Sequence, residues 1–270
     1  MERTAPAAPV HAVSADGTPI AWFSSGDGPP LVLVHGVLGD HSRWEALRPL
    51  LEPHFTVHAV DRRGRGASGD AADYAVEREF EDLAAVVDAV AASSGSPATV
   101  YGHSGGASYA LGAATLTTNI DRLVLYEPPV DPGRLLPSGF LERLDDQLAA
   151  GEAEAVVELF CREVLHMSEE QLEAYRDQPS WPARVAAAAT LPRELRVPPG
   201  RLFDPRRAAE VTVPVLLLEG DATPEGFKAG TRVVADALPN ARVVGLDGQG
   251  HTADVLAPQL VADHVLAFGA

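Results

Sequence analysis

Apolar segments recur along the chain at intervals that suit strands, and two of them form a hairpin pattern near the amino terminus. Residues 10–14 and 19–23 alternate apolar and polar side chains around Asp16-Gly17, which predicts a β-hairpin. Residues 31–34 are continuously apolar and β-branched, as a strand buried on both faces should be. Further strands are predicted at 55–60, 98–101, 123–126, 213–218 and 242–246.

Helical spacing fills the gaps between these strands. The clearest case is 79–92, where Leu83, Val86, Val87 and Val90 form one apolar face. Further helices are predicted at 44–51, after Ser104 through Ala114, at 225–238 and at 258–268. Strands that alternate with helices predict an α/β fold with a mostly parallel central β-sheet flanked by helices.

The alternation stops between residues 130 and 207, where only helical patterns follow one another. They lie at 140–149, 153–164, 169–177 and 181–191. Because about 75 residues of helix are too many for a simple crossover, we expect a helical cap over the carboxyl edge of the sheet. The predicted organisation is a mobile tail (1–9), a core (10–129 and 208–270) and a cap (130–207).

Composition narrows the function classes. Asp and Glu (38) exceed Lys and Arg (21), and the longest basic cluster is 61–65, so neither nucleic acid nor an anionic membrane is expected as a partner. The single cysteine, Cys161, excludes an intramolecular disulfide and suits a reducing compartment. No signal-peptide pattern and no run of 18 apolar residues occurs, so a cytoplasmic location is the default expectation.

The main candidate catalytic motif is Gly-His-Ser-Gly-Gly at 102–106, between a predicted strand and a predicted helix. A serine on such a turn adopts strained backbone angles, and the flanking glycines leave room for the chain to close around it. We therefore predict that Ser104 is a nucleophile exposed at the carboxyl edge of the sheet. The Gly105 N–H opens the next helix, where a developing oxyanion is favoured.

A second glycine-rich turn, 35–40, follows the strand at 31–34. Its backbone can direct amides toward the same sheet edge, and we predict Val37 N–H as the second oxyanion donor.

Two more turns after predicted strands supply an acid and a base. Serine needs an imidazole to accept its proton, and the imidazole needs a carboxylate that orients it. His251 is the predicted base and Asp221 the predicted acid, since each follows a strand that ends at this edge. Glu127, at the end of the strand 123–126, remains an alternative acid, and Asp254 is expected to serve the turn or helix after His251.

Together these motifs resemble those of the α/β-hydrolase fold, in a small, capped, esterase-like form with a serine nucleophile. The resemblance extends from about Val10 to Phe268 and includes the turn at His35-Gly36, the Asp-x-x-Gly loop at 61–64 and the order Ser104, Asp221, His251. It implies a mostly parallel sheet with an α-helical cap inserted after the sixth strand. It also implies a Ser-His-Asp triad that acts through an acyl-enzyme.

Several reactions use such a site. Hydrolysis of an ester, lactone or thioester of a small organic molecule is expected first. The alternatives are a cyclase, acyl transferase or lyase that uses the same residues, and a small-molecule receptor without turnover. A small-molecule substrate is the expected partner, no cofactor and no metal are expected, and a homodimer is left open. Side chains expected to contact substrate are Leu38, His41, His103, Phe140, Phe160 and Trp181.

Overall fold

The computed structural model describes residues 8–269, so residues 1–7 of the predicted tail lie outside the described residues. All predicted strands are present. They are β1 (Val10–Val13), β2 (Pro19–Ser25), β3 (Pro30–Val34), β4 (Thr56–Val60), β5 (Ala98–His103), β6 (Ile120–Tyr126), β7 (Val215–Gly220) and β8 (Ala241–Leu246).

The strands form one sheet in the order β1-β2-β4-β3-β5-β6-β7-β8. β1 pairs antiparallel with β2, and β2 antiparallel with β4, while every other neighbouring pair is parallel. The predicted mostly parallel sheet is confirmed. Because β5, β6, β7 and β8 are parallel, the residues that follow them lie at one edge of the sheet.

Helices lie between the strands and in one long insertion. They are α1 (Arg48–Leu51), α2 (Val76–Ser94), α3 (Gly105–Ala113), α4 (Phe140–Ala149), α5 (Ala153–Glu163), α6 (Glu169–Arg176), α7 (Trp181–Ala186), α8 (Leu191–Leu195), α9 (Pro205–Ala208), α10 (Glu225–Ala237), α11 (Ala253–Leu256) and α12 (Pro258–Gly269). Single 3₁₀ turns occupy His41–Glu45, Pro132–Leu135 and Ala188–Thr190. No helix within residues 8–269 combines the length and apolar character needed to cross a bilayer.

The alternation of side chains along the strands builds a separate apolar core on each face of the sheet. In β3, Val32 packs with α2 and α3 on one face, while Leu33 packs with Trp44 and α12 on the other. Both strand residues are fully buried, which explains the unbroken apolar sequence of this strand.

Helices α4 to α9 lie between β6 and β7, where the helical insertion was predicted. A third apolar cluster joins α4 through α8 to Leu38, Phe227 and Val255, which belong to core segments around the sheet edge. The insertion is therefore packed against the loops that follow the strands.

Two details of the insertion differ from the sequence prediction. The helix predicted at 181–191 is divided into α7, a 3₁₀ turn and α8. Pro192, in the first turn of α8, lacks the N–H that a continuous helix needs and so favours a new start. The boundary predicted at residue 207 falls inside α9, whose Ala208 packs in the core of the sheet.

Candidate active site

Ser104 lies on a sharp turn between β5 and α3. Its backbone angles, φ 55° and ψ −126°, are outside the regions that non-glycine residues normally adopt. A Cβ placed on Gly102 would lie 2.5 Å from the Gly106 carbonyl oxygen, and one on Gly106 would lie 2.2 Å from the Val34 carbonyl oxygen. Only glycine fits at both positions, so the turn has the geometry of a nucleophile elbow.

His251 follows β8 and is held by its neighbours near Ser104. Its Nδ1 is hydrogen-bonded to Glu127 Oε2, and its ring lies 4.2 Å from the Phe227 ring. His251 and Ser104 line one cavity but make no direct hydrogen bond.

Glu127 is the carboxylate that contacts the imidazole. It follows β6, has a positive φ of 48° and is fully buried. Its Oε1 accepts a hydrogen bond of 2.7 Å from the Gly220 N–H, at the end of β7. With one oxygen on this amide and the other on His251, the carboxylate has a defined orientation.

The sequence prediction of Asp221 as the acid partner differs from this arrangement. Asp221 is exposed, and none of its hydrogen bonds within residues 8–269 involves its carboxylate. Glu127, by contrast, contacts both the Gly220 N–H and His251 Nδ1. The sequence signal for Glu127 is its position at the end of a buried strand, which makes it an alternative acid but does not distinguish it from Asp221.

Asp254 also has a role that its sequence position did not reveal. Its carboxylate is bound by Arg43 through two hydrogen bonds, Nε to Oδ2 at 2.8 Å and Nη2 to Oδ1 at 2.7 Å. Arg43 is also 3.1 Å from the Tyr175 hydroxyl. Both charged side chains are buried, so this ion pair connects the loop after β3 with the segment that carries His251.

The amides predicted as oxyanion donors lie beside Ser104. Val37 and Gly105 line a cavity together with Ser104. Within residues 8–269, neither N–H donates to a protein acceptor. Gly105 begins α3, where the first N–H groups have no partner inside the helix. Free amides at this place are suited to an anionic oxygen.

Three of the six side chains predicted to contact substrate line the cavities at Ser104, namely Leu38, His103 and Phe160. His103 Nε2 is 2.7 Å from the His251 carbonyl oxygen. Burial and the nearby Arg43 hold the pKa of His103 well below its usual range, so the ring is neutral.

The other three predicted contacts lie elsewhere. Phe140 packs on Phe160 inside the insertion, with ring centroids 6.5 Å apart. Trp181 packs against Tyr175 and donates its indole N–H to Glu154. These two aromatic side chains thus pack inside the insertion. The sequence pattern alone does not distinguish an aromatic residue that packs in the core from one that lines a substrate cavity.

His41, the third of these, is bound by Asp61 outside both cavities. Its Nδ1 lies 2.8 Å from Asp61 Oδ1, and its ring packs on Phe23 at 3.9 Å. Burial alone would lower the pKa of His41, but the hydrogen bond and charge of Asp61 raise it. Asp40, His41 and Asp61 are also the one group within residues 8–269 whose spacing could suit a metal ion. The Asp61 oxygens already accept hydrogen bonds from the backbone of His41 and Ala67.

Two cavities meet at Ser104 and share Val37 and Phe160 as lining residues. They contain about 430 Å³ and 340 Å³ of space free of atoms, including their open parts. The larger, which we call the apolar cavity, is lined mainly by carbon-rich side chains such as Leu135, Leu136 and Phe227. The smaller, the cationic cavity, contains His251 together with Arg43 and Arg184.

Comparisons with known proteins agree on one family. Residues 31–264 match the model of the alpha/beta hydrolase family. A crystal structure of an alpha/beta hydrolase from Sphaerobacter thermophilus is 40% identical in sequence and covers 97% of this chain and 100% of its own, with a TM-score of 0.81. The enol-lactonase from Burkholderia xenovorans is 21% identical over 96% of this chain and 99% of its own, with a TM-score of 0.73, a likeness of fold.

One curated relative matches over a shorter stretch. The pimeloyl-[acyl-carrier protein] methyl ester esterase of Vibrio campbellii is 40% identical over 73 residues, which are 27% of this chain and 26% of that protein. The match therefore spans about a quarter of the relative's length.

Proposed function

Because this chain belongs to the alpha/beta hydrolase family, we propose that it hydrolyses an ester-like carbonyl, in an ester, lactone or thioester of a small organic molecule. The observation that carries the proposal is the strained turn of Ser104 beside His251, whose Nδ1 is bound by the buried Glu127. The relative named a methyl ester esterase supports ester hydrolysis as the class of reaction. The proposed triad is Ser104, His251 and Glu127.

In the first half-reaction, Ser104 Oγ attacks the carbonyl carbon while His251 Nε2 accepts the hydroxyl proton. The carbonyl oxygen becomes an anion and accepts hydrogen bonds from the Val37 and Gly105 N–H groups. When the tetrahedral intermediate collapses, the bond to the leaving group breaks and His251 returns the proton to it. Glu127 stabilises the imidazolium that exists between these steps.

In the second half-reaction, water attacks the acyl group on Ser104 and gives its proton to His251. The second tetrahedral intermediate uses the same two amides. Its collapse breaks the bond to Ser104 Oγ, which recovers its proton from His251, and releases the carboxylic acid. The overall reaction consumes one water molecule and needs no cofactor.

The inserted helices are proposed to act as a cap that excludes water and selects the substrate. Phe160 of α5 lines both cavities, and Leu195 of α8 lines the apolar one. Both belong to the apolar cluster that joins the insertion to the sheet edge. The cap therefore provides much of the wall that a substrate would contact.

The test is turnover of 4-nitrophenyl acetate and 4-nitrophenyl butyrate by the wild type, Ser104→Ala and the control Ser94→Ala, a serine on the exposed end of α2. We expect Ser104→Ala to lose at least about 10³-fold in kcat, and Ser94→Ala to retain wild-type activity. An aryl phosphonate should add one phosphonyl group to wild-type Ser104, as seen by intact-mass and peptide mass spectrometry. Full activity of Ser104→Ala would refute the covalent mechanism.

A further inference from the structure

Arg184, on α7 of the insertion, differs from every other buried arginine of residues 8–269. The five buried arginines are Arg43, Arg62, Arg63, Arg65 and Arg184. The first four each have a carboxylate within hydrogen-bond distance, on Asp254, Glu79, Asp82 and Glu194. Arg184 is 1% exposed, yet no carboxylate within residues 8–269 lies within 4.0 Å of its guanidinium.

The contacts that Arg184 does make are neutral. Nη1 donates to the Leu38 carbonyl oxygen at 3.3 Å and Nη2 to the Ser180 hydroxyl at 3.2 Å, while Nε has no partner. The guanidinium also lies over the Tyr175 ring, 4.1 Å from its centroid. These groups hold the side chain in place, but none of them carries a compensating negative charge.

Other groups around Arg184 do not supply that charge. Burial raises the pKa of the neighbouring Cys161 to about 12, so its thiol is neutral. Asp254 lies in the same region, but both of its oxygens are bound by Arg43. Burial lowers the pKa of the Arg184 guanidinium, which shows the direction of the energetic cost. Burying a cation away from solvent without a counterion is unfavourable, and an anion bound beside it would offset that cost.

The position of Arg184 connects this missing counterion with the proposed reaction. Arg184 lines the cationic cavity together with Ser104 and His251. It also donates a hydrogen bond to the carbonyl oxygen of Leu38, which follows Val37, the proposed oxyanion donor. A small molecule in this cavity would contact both Arg184 and Ser104.

We propose that the cationic cavity binds a carboxylate of the substrate, so that the enzyme acts on esters that carry a free carboxylate on a short chain. A guanidinium binds a carboxylate through two parallel hydrogen bonds, and the unpartnered Nε and the weakly engaged Nη groups provide the donors. The apolar cavity takes the uncharged part of the substrate. This inference rests on the proposed hydrolase function, which it extends by naming the substrate class.

Two matched pairs of substrates test the proposal, with rates corrected for uncatalysed hydrolysis. In the first pair the charge is on the acyl side, and the two compounds are 4-nitrophenyl hydrogen glutarate and its methyl ester, 4-nitrophenyl methyl glutarate. In the second it is on the leaving group, as 4-acetoxybenzoate and methyl 4-acetoxybenzoate. We expect the wild type to prefer the charged member of at least one pair by about tenfold or more in kcat/KM.

Substitution of Arg184 separates binding of the charge from a structural role. We expect Arg184→Gln to lower kcat/KM for the preferred charged ester by about 10- to 100-fold, and for its neutral partner by less than about threefold. Arg184→Lys should retain part of the preference, because it keeps the charge without the planar fork. The control is Arg196→Gln, which removes an exposed arginine of the insertion and should leave the preference unchanged.

Two results would overturn the inference. One is a wild type that prefers the neutral ester in both pairs, and the other is an Arg184→Gln variant whose kcat/KM falls equally for charged and neutral esters. If no ester is hydrolysed, the proposed function fails, and calorimetric binding of glutarate against dimethyl glutarate then decides about the cavity. Binding of glutarate that weakens at least tenfold in Arg184→Gln supports the carboxylate site, and equal binding refutes it. If Arg184→Gln does not fold, the same comparison is made with Arg184→Met, which also removes the charge.

Discussion

Glu127 shows how burial changes what a carboxylate can do. A carboxylate in water rotates freely and is screened, whereas Glu127 is fully buried with one oxygen on the Gly220 N–H. Its second oxygen is hydrogen-bonded to His251 Nδ1. In the proposed mechanism this contact sets the tautomer that leaves Nε2 free to accept the serine proton. The exposed Asp221 has neither constraint.

We expect Glu127→Gln to lower kcat for 4-nitrophenyl acetate by about 10³- to 10⁴-fold, because an amide cannot stabilise the imidazolium and favours the wrong tautomer. Asp221→Asn is the matched control and should change kcat by less than about threefold. Steady-state kinetics of the two purified variants, with folding checked by circular dichroism, provide the measurement. A large loss in Asp221→Asn with an active Glu127→Gln would restore the acid predicted from the sequence.

The role of a charged residue depends on its burial and its partners, and this limits what the sequence reveals about single residues. Ser104 and His251 were predicted because each stands on a glycine-rich turn after a strand, and this signal is local. Arg43 and Arg184 follow no motif, because their importance depends on which charges lie beside them in the folded chain. A buried arginine therefore becomes informative only when its partners are known.

At the scale of the elements, the active site depends on how closely α3 approaches the sheet. α3 begins one residue after Ser104 and consists largely of small residues. The first turn of this helix lies against β3, where Gly106 leaves no space for a side chain beside the Val34 and His35 carbonyl oxygens. The position of Ser104 is thus determined by backbone packing between a strand and a helix.

A methyl group at Gly106 tests this packing. We expect Gly106→Ala to lower the free energy of unfolding by about 3 kcal/mol or more, at or above the upper end for overpacked cores, and to abolish esterase activity. Gly245→Ala is the control, because a Cβ on Gly245 meets no atom within 4 Å. Urea denaturation followed by tryptophan fluorescence measures both variants. Equal stability of the two would show that α3 can move away from the sheet without cost.

At the scale of the whole molecule, a buried charge network attaches the insertion to the sheet. Glu194, on α8, accepts hydrogen bonds from Arg62 and Arg65, which follow β4. Arg62 also binds Glu79 of α2, and all four side chains are buried. These ion pairs and the apolar cluster around Leu38 fix the insertion above the active site.

Removing the charge of Glu194 should therefore weaken more than one contact. We expect Glu194→Gln to lower the free energy of unfolding by about 3–5 kcal/mol, since it leaves the buried Arg65 without a carboxylate partner and Arg62 with Glu79 alone. Asp145→Asn is the control, because it breaks the exposed ion pair with Arg196, which is expected to contribute about 0–1 kcal/mol. Urea denaturation of both variants provides the comparison, and similar losses would contradict the network's role.

Features that depend on neighbouring residues could be derived from the sequence alone. Alternating strand and helix periods predicted the sheet, the insertion after β6 and the turn of Ser104, because periodicity and turn chemistry act over a few residues. The tertiary structure decided whether Glu127 or Asp221 contacts His251, which aromatic side chains line the cavities, and that Arg184 has no counterion. These outcomes depend on contacts between residues more than one hundred positions apart in the sequence, because burial and electrostatic partners are determined by the fold.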